Sequence, residues 1–232
     1  MKIAVIPARG GSKRIPRKNI KPFCGKPMIS WSIEAALASE CFDQIIVSTD
    51  DAEIASVAKA LGAQTPFTRP AELSSDFATT GAVMKHAVEW LGRATHVALD
   101  AVCCIYATAP FVRPSDLRSG LDLLMGANAD YAFSVTTFEY PIQRALRIGV
   151  DDRLQMIRPE HYQTRSQDLE VALHDAGQFY WGSSEAWLHE HPIFSSASVP
   201  LVLPRYRVQD IDTEEDWIQA ELLFRHLKER ER

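Results

Sequence analysis

The chain has few cysteines: four in 232 residues, with no Cys-x-x-Cys spacing and no paired histidine motif. Cys103 and Cys104 are neighbours in an apolar run, where successive side chains of a strand point to opposite faces. Two such side chains do not converge on one metal ion. The spacing therefore argues against a zinc-ribbon type of site and predicts reduced cysteines that serve packing.

Long apolar runs are also missing. No stretch approaches the roughly 20 residues of a transmembrane helix, and the first apolar run ends at Pro7, too soon for a signal peptide. These absences predict a cytoplasmic protein with no membrane partner. The net charge is −5 and basic residues form no long run, which argues against a nucleic-acid partner.

Short apolar runs alternate with helical patterns, and 46% of the residues are apolar, enough for the core of one domain spanning residues 1–232. The alternation is typical of an α/β fold with a doubly wound, mostly parallel sheet. Strands are predicted at 2–6, 44–48, 97–106, 131–137, 178–181 and 199–203. Helices are predicted at 27–39 and 114–126, with others starting near residues 51, 79 and 213.

Three aspartates are explained locally as structural. Asp50 and Asp51 stand at a strand end and a helix start, so we interpret them as a strand terminus and a helix cap. Thr213 and Asp216 resemble a capping pair at the start of the last helix. His174, a lone histidine, is a minor candidate for proton transfer, since such residues more often serve packing.

The loop that follows the first strand, residues 7–19, carries the strongest chemical signal. In an open α/β sheet, ligands bind beyond the carboxyl ends of the strands, where this loop lies. Gly10 and Gly11 let backbone N–H groups approach an anion, and five cations within ten residues supply a positive field. The loop matches neither GxGxxG nor GxxxxGK(S/T). It therefore predicts phosphate binding of another kind, in preference to a solvated basic loop.

The full string, Pro-Ala-Arg-Gly-Gly-Ser-Lys-Arg-Ile-Pro-Arg-Lys-Asn, resembles the N-terminal signature of the CMP-sialic acid synthetase family of cytidylyltransferases. The resemblance continues in family order at residues 25–28, 47–50, 69–73 and 210–212. It implies a Rossmann-like fold of the nucleotide-diphospho-sugar transferase type and a homodimer. It further implies transfer of CMP from CTP, with Mg²⁺, to an acidic nine-carbon sugar, with release of pyrophosphate.

The resemblance assigns roles to individual residues. Arg9 and Lys18 would meet the phosphates, and Asn19 would help to hold the nucleotide. Arg69 would lie against the cytosine, whose carbonyl and ring nitrogen match guanidinium donors; without the resemblance it reads as a solvated loop arginine. The implied nucleotide-binding set is Ala8, Arg9, Gly10, Gly11, Ser12, Lys18, Asn19 and Arg69.

Asp210 and Asp212 are implied as the Mg²⁺ ligands, and Arg9, Lys18 and Asp212 as the catalytic residues. Mg²⁺ takes one or two carboxylates, with phosphates and waters completing its octahedron. In a strand, the i, i+2 spacing would place both carboxylates on one face. From the residues alone, Asp212 is explained equally well as a cap of the last helix.

Departures from the sialic acid pattern bear on the sugar. Arg14 and Arg17 stand where sialic acid enzymes typically carry glycines, and residues 105–110 and 174–181 also differ from their pattern. All these variants resemble the pseudaminic acid branch of the family. Tyr106 in place of a glutamine makes a larger, more apolar wall, which suits a deoxy sugar with a methyl terminus.

Residues 139–173 show a looser pattern with two strand-like pieces at 145–148 and 154–157. We interpret them as an excursion that covers the sugar site or makes a dimer contact. Its arginines, such as Arg144, Arg158 or Arg165, are candidates to pair with the sugar carboxylate. The predicted sugar-binding set is Tyr106, Gln178, Tyr180 and Arg165.

Several alternatives remain open from the sequence. The nearest is the same reaction with N-acetylneuraminate, legionaminate or 3-deoxy-manno-octulosonate. The last is disfavoured because its enzymes carry an aspartate where this chain has Ala107 and Thr108. A dinucleotide-dependent oxidoreductase is disfavoured by the missing GxGxxG, and a catalytically silent nucleotide-binding protein by the full set of phosphate and metal residues.

Overall fold

The computed structural model describes residues 1–95 and 97–230. The strands are β1 (Lys2–Pro7), β2 (Pro22–Phe23), β3 (Lys26–Pro27), β4 (Gln44–Ser48), β5 (Ala101–Ile105), β6 (Tyr131–Thr137), β7 (Leu146–Ile148), β8 (Leu154–Met156), β9 (Leu173–Ser183) and β10 (Ser198–Val202). The helices are α1 (Met28–Ser39), α2 (Ala52–Ala60), α3 (Thr80–Thr95), α4 (Pro114–Ala127), α5 (Ser184–Leu188) and α6 (Glu214–Arg230).

A six-stranded sheet forms the centre, in the order β10-β6-β9-β5-β1-β4. β1 pairs in parallel with β4 and β5, and β10 pairs in parallel with β6. β9 runs antiparallel between β5 and β6. This mixed, mostly parallel sheet with helices on both faces confirms the predicted α/β class.

Alternate side chains of β1 explain why the sheet is covered on both faces. Ala4 and Ile6 belong to a buried cluster with α1, α2 and α4, whereas Ile3 and Val5 belong to one with α3 and α5. A strand buried on both faces reads as a continuous apolar run, as this one does. Cys103 and Cys104 divide between the same two clusters and are free and buried; burial raises the pKa of each thiol.

A third cluster fixes the last helix beside the loop that follows β1. Phe23 makes edge-on ring contacts with Trp217 and Phe224 of α6, at centroid distances of 5.4 and 5.5 Å. Ile15, from the loop itself, is fully buried in this cluster. The C-terminal helix therefore packs directly against the phosphate-loop candidate.

Two strand predictions differ from the structure by more than one residue at an end. β5 begins at Ala101 rather than at residue 97, and its ladder with β1 starts at the pair Lys2–Ala101. β9 spans Leu173–Ser183, far longer than the predicted 178–181, with a register shift against β6 between Phe133 and Val135. The two short pieces of the excursion are confirmed as a separate antiparallel hairpin, β7–β8.

The predicted caps are confirmed. The Asp51 carboxylate accepts the N–H groups of Glu53 and Ile54 at the start of α2. Thr213 and Asp216 form two reciprocal hydrogen bonds at the start of α6. The Asp216 carboxylate accepts the Thr213 N–H at 2.8 Å, and the Asp216 N–H donates to Thr213 Oγ1 at 3.2 Å.

The local alternative for Asp212, a cap of the last helix, is therefore wrong, because Thr213 and Asp216 occupy that place. The strand geometry expected for Asp210 and Asp212 is also wrong, since both lie in an irregular segment before α6. Among the residues that the structure describes, no helix is both long and apolar enough to cross a membrane.

Candidate nucleotide site

A cavity of about 700 Å³ lies beyond the carboxyl ends of β1 and β5. Its walls come from the loop after β1, the segment around residues 69–80, the turn after β5 and the segment before α6. Of the predicted site residues, it brings together Arg9, Ser12, Lys18, Asn19, Arg69, Tyr106 and Asp212. These residues are up to two hundred positions apart in sequence and are joined by the sheet topology.

The loop after β1 is held by hydrogen bonds to residues at the end of β4. Gly10 donates its N–H to the Asp50 carboxylate at 3.0 Å, so this group is engaged by the protein rather than free for a phosphate. A Cβ on Gly10 would lie 2.7 Å from Asp51 Oδ2, which explains the glycine as a close backbone approach. Gly11 has no such neighbour within 4 Å. Ala8 is buried and donates its N–H to the Ser48 carbonyl.

Arg17 also fixes the loop after β1, through contacts with Asp51 and Glu53. Its φ of 57° is left-handed, a conformation that a glycine adopts more easily. Its guanidinium lies 2.5 and 2.9 Å from the two Asp51 oxygens and 2.5 Å from Glu53. The Arg17 guanidinium holds the pKa of Asp51 at about 2, well below its usual value. The sequence predicts the helix cap at Asp51 but not its pairing with Arg17, because the two residues are 34 positions apart.

Two cations of the loop meet the segment before α6. Lys18 Nζ lies 2.7 Å from the Ile211 carbonyl and 3.2 Å from Asp212 Oδ1. Arg14 Nη2 lies 2.9 Å from the other Asp212 oxygen. Asp212 therefore lines the cavity, and each of its carboxylate oxygens contacts a cationic side chain. Asn19, on the same loop, fixes its path by donating from Nδ2 to the Arg9 carbonyl at 2.9 Å.

Asp210 is an exposed neighbour of Asp212. Its pKa is raised by partial burial and by the charge of Asp212, and lowered less by Lys18. Within residues 1–95 and 97–230, no group of three or more histidines, cysteines or acidic residues is placed to hold a metal ion. A cation at this pair would need further oxygen ligands from a substrate or from water.

Arg69 is the most unusual side chain of the cavity. It is only 4% exposed, yet neither Nε nor Nη2 has a hydrogen-bond partner among the described residues. Its pKa is lowered, chiefly by burial, although Asp50 opposes this effect. A buried donor without an acceptor costs on the order of 1–3 kcal/mol. The solvated-loop interpretation of Arg69 is therefore wrong, and the group is placed to meet a ligand in the cavity.

The structure adds one residue that sequence analysis missed. The Asp76 carboxylate lies 2.8 Å from Arg9 Nη1 and also contacts Lys13. Both cations hold the pKa of Asp76 below its usual value, Lys13 more strongly. No motif marks Asp76, which stands in a Ser-Ser-Asp stretch that reads as a loop.

The predicted sugar-binding residues separate into three environments. Tyr106 lines the cavity, with its hydroxyl 3.1 Å from Thr80 Oγ1. Tyr180 is buried behind it, with ring centroids 5.4 Å apart, and donates its hydroxyl to Asp175. Gln178 is also interior, and its Nε2 donates to the Arg207 carbonyl at 2.6 Å. Arg165 is on the exposed excursion, 2.7 Å from Asp168.

The other residues considered for the sugar lie outside the cavity lining. Arg144 Nη1 lies 3.4 Å from Ser166 Oγ on the excursion, and Arg158 is exposed there. The His174 ring packs against Phe138, at 4.7 Å between centroids. It lines a separate pocket beside Phe133, so the structure does not bring it to the nucleotide cavity.

The chain is similar to known cytidylyltransferases over nearly its whole length. A family model described as cytidylyltransferase matches residues 3–227. A pseudaminic acid cytidylyltransferase of Campylobacter jejuni is 48% identical over 223 residues, 96% of each chain. A CMP-N,N'-diacetyllegionaminic acid synthase of Legionella pneumophila is 31% identical, over 96% of this chain and 95% of the relative.

A solved structure of CMP:2-keto-3-deoxy-manno-octonic acid synthetase, complexed with CTP, shares the fold. Its TM-score is 0.68 at 18% identity, over 97% of this chain and 98% of that one. The basic loop after β1, the buried arginine that faces the cavity and the match of nearly the whole chain therefore lead to one conclusion: the chain belongs to the cytidylyltransferase family.

Proposed function

We propose that this protein transfers CMP from CTP to the anomeric hydroxyl of pseudaminic acid and releases pyrophosphate. One observation carries the nucleotide half of the proposal: the buried Arg69, whose Nε and Nη2 have no hydrogen-bond partner among the described residues, lines the same cavity as the loop cations Arg9 and Lys18. The sugar half is supported by the 48% identity to the Campylobacter jejuni relative over almost the whole chain.

In the proposed reaction, the anomeric hydroxyl attacks the α-phosphorus in line, and pyrophosphate leaves. Such a transfer depends on positioning and charge neutralisation rather than on covalent catalysis. Arg69 would donate to the cytosine carbonyl and ring nitrogen, which meets its unsatisfied N–H groups. Arg9 and Lys18 would contact the phosphates, and Ser12 and the Gly11 N–H would lie along their path. The Gly10 N–H, held by Asp50, would shape the loop instead.

Asp210 and Asp212 suit Mg²⁺ by the chemistry of their donors: Asp212 lines the cavity beside Lys18, and Asp210 lies two residues before it. When bound, the ion would supply positive charge to the triphosphate. The chain's own part is to hold Asp212 at that wall, through the contacts of its carboxylate with Lys18 and Arg14.

The aromatic pair Tyr106 and Tyr180 supports a sugar with an apolar edge. Tyr106 presents its ring to the cavity, and Tyr180 fills the space behind that ring. Desolvation raises the pKa of both hydroxyls, so both rings stay neutral at physiological pH. In this proposal, Gln178 supports the sugar site from the protein interior. Arg165 would break its ion pair with Asp168 and bind the sugar carboxylate instead.

The excursion supports the proposal of a homodimer. Leu146, Ile148 and Leu154 of the β7–β8 hairpin are all more than half exposed. A two-stranded hairpin gains little stability by itself, and clustered exposed apolar side chains mark interaction surfaces. A second copy of the chain that covers this hairpin would bury them.

The decisive experiment measures pyrophosphate release with CTP and Mg²⁺ across a panel of nine-carbon acid sugars, with ATP, GTP and UTP as controls. We expect the highest kcat/KM with CTP and pseudaminic acid. Release only with legionaminic acid would favour the second candidate, which the 31% identical relative suggests. No release with any acid sugar would contradict the proposed reaction.

A further inference from the structure

Arg9 and Lys13 line the cavity, and both are paired there with the Asp76 carboxylate. Arg9 Nη1 is 2.8 Å from Asp76 Oδ1, and Lys13 Nζ contacts the second oxygen. Asp76 belongs to the segment between a short helical turn, Ala71–Leu73, and α3. It lines the same cavity as Arg9 and Lys13.

The geometry of this contact is that of an anion held by two cations. A carboxylate offers two oxygens, and each is engaged by a different cation here. A phosphate group offers three oxygens and more negative charge, and makes stronger charge-assisted bonds to guanidinium and ammonium groups. About a third of the Asp76 side chain and 79% of the Lys13 side chain are exposed to solvent. Ion pairs with this much exposure are individually weak. A triphosphate would therefore take these cations from Asp76.

We propose that Asp76 is an internal competitor of the nucleotide phosphates, which occupies Arg9 and Lys13 in the empty enzyme and releases them when CTP enters. The proposal rests on the proposed function, because it requires these cations to meet phosphates. Asp76 is a positioning residue, since it touches no reacting atom. The same competition would act on pyrophosphate after transfer, and would speed its departure by taking the cations back.

The test compares binding by titration calorimetry at low ionic strength for the wild type, Asp76→Asn and Glu72→Gln. Glu72 is an exposed acid of the same segment, outside the cavity lining, so its variant removes one negative charge without altering the contact. We expect Asp76→Asn to bind CTP and pyrophosphate about three- to tenfold more tightly. Glu72→Gln should match the wild type with both ligands.

Two further measurements isolate the competition. Cytidine has no phosphate and displaces nothing from Arg9, so Asp76→Asn should leave its affinity unchanged. In steady-state assays, Asp76→Asn should lower KM for CTP and strengthen inhibition by pyrophosphate. Asp76→Glu keeps the competing charge and should stay close to the wild type in both ligand affinities.

The outcomes separate this proposal from the proposed function. Wild-type or weaker affinity of Asp76→Asn for CTP, or an equal gain for cytidine, would overturn the competition. Arg9→Ala decides the other question: it should weaken CTP binding by about tenfold or more. If Arg9→Ala weakens binding and Asp76→Asn does not tighten it, only the role of Asp76 is wrong. If Arg9→Ala has no effect, the assignment of Arg9 to the phosphates is wrong as well.

Discussion

Lys18 and Asp212 are 194 positions apart in the sequence, yet Lys18 Nζ lies 3.2 Å from Asp212 Oδ1. The contact joins the loop after β1 to the segment before α6. It is supported by the aromatic contacts of Phe23 with α6 and by the 2.7 Å bond from Lys18 to the Ile211 carbonyl. Residues from the two ends of the chain therefore form one wall of the cavity.

Asp212→Asn tests that wall. The change keeps the size of the side chain and removes its charge, so we expect the fold to persist and kcat/KM to fall by about 10²-fold or more. The rate should also lose its dependence on added Mg²⁺. Glu215→Gln, an exposed neighbour on α6, is the matched control and should keep wild-type kinetics. Full Mg²⁺-dependent turnover by Asp212→Asn would remove this residue from the metal site.

Arg69→Met tests the unpartnered guanidinium. Removing a buried charge that has unsatisfied donors should leave the empty protein as stable as the wild type or more stable, by about 1 kcal/mol. CTP affinity should fall by about 10- to 100-fold, and the preference for CTP over UTP should decline with it. Thermal unfolding and nucleotide titration measure the two effects separately.

Arg118→Met serves as the control for the arginine at position 69. Arg118 is exposed on α4 and contacts the carbonyls of Ala38 and Ser39, away from the cavity. Its variant should bind CTP normally. A large loss of stability in Arg69→Met, without any change in nucleotide preference, would show that Arg69 is structural.

Arg17→Gly tests the left-handed residue of the loop. Glycine removes a backbone strain of about 1 kcal/mol, but also the ion pairs that fix the loop to Asp51. We expect nearly unchanged stability and a lower kcat/KM, since the adjacent Lys18 is held less firmly. Asp152→Gly relieves the same conformation (φ 57°) in the β7–β8 turn and should leave kinetics unchanged. Equal kinetics in both variants would contradict a positioning role for Arg17.

The Asp51 carboxyl predicts a specific acid sensitivity. Its pKa is lowered to about 2 from a reference value of 3.8, first by the hydrogen bond from Arg17. A depressed pKa in the folded state contributes stability above the unfolded-state value, and this contribution is lost as the pH falls from about 4 to about 2. After allowance for solvent screening it amounts to about 1–2 kcal/mol. Unfolding curves of Asp51→Asn should therefore show a shallower loss of stability over that range than those of the wild type.

Ile148→Asp tests the proposed dimer surface. A charge on the exposed apolar hairpin should convert a dimeric wild type into a monomer, as measured by sedimentation equilibrium. Leu222→Asp, at a similarly exposed apolar position on α6, should remain dimeric. A monomeric wild type, or dissociation by both substitutions, would contradict an interface at the β7–β8 hairpin.

Much of the fold could be predicted because β1, β4, β5 and β6 are buried on both faces. The predicted bounds of β4 and β6 match the structure to the residue. β9 was predicted too short because Gly177, at φ 60°, interrupts its pattern and its first half pairs through a register shift. Such a shift depends on the partner strand, which local sequence does not encode.

The site residues also divide into those that local sequence predicts and those that only the folded chain shows. The residues of the loop after β1 were found because their pattern of glycines and cations is local. Arg69 needed the family resemblance to be noticed and the structure to show its burial. The contacts of Asp76 with Arg9 and of Asp50 with Gly10 join segments about 40 residues or more apart. The sequence predicts neither contact, because it does not show which distant residue each aspartate meets.

The antiparallel strand β9 has a consequence for how the chain folds. Among the described strands, β4-β1-β5 and β6-β10 form two parallel groups that meet only through β9. β5 and β6 both precede β9 in the chain, so the edges that they share with β9 stay open until this late strand inserts. Such non-local pairing is slow, and open edges invite association with other chains. The pairing of β9 is therefore the step that closes these two edges against association with other chains.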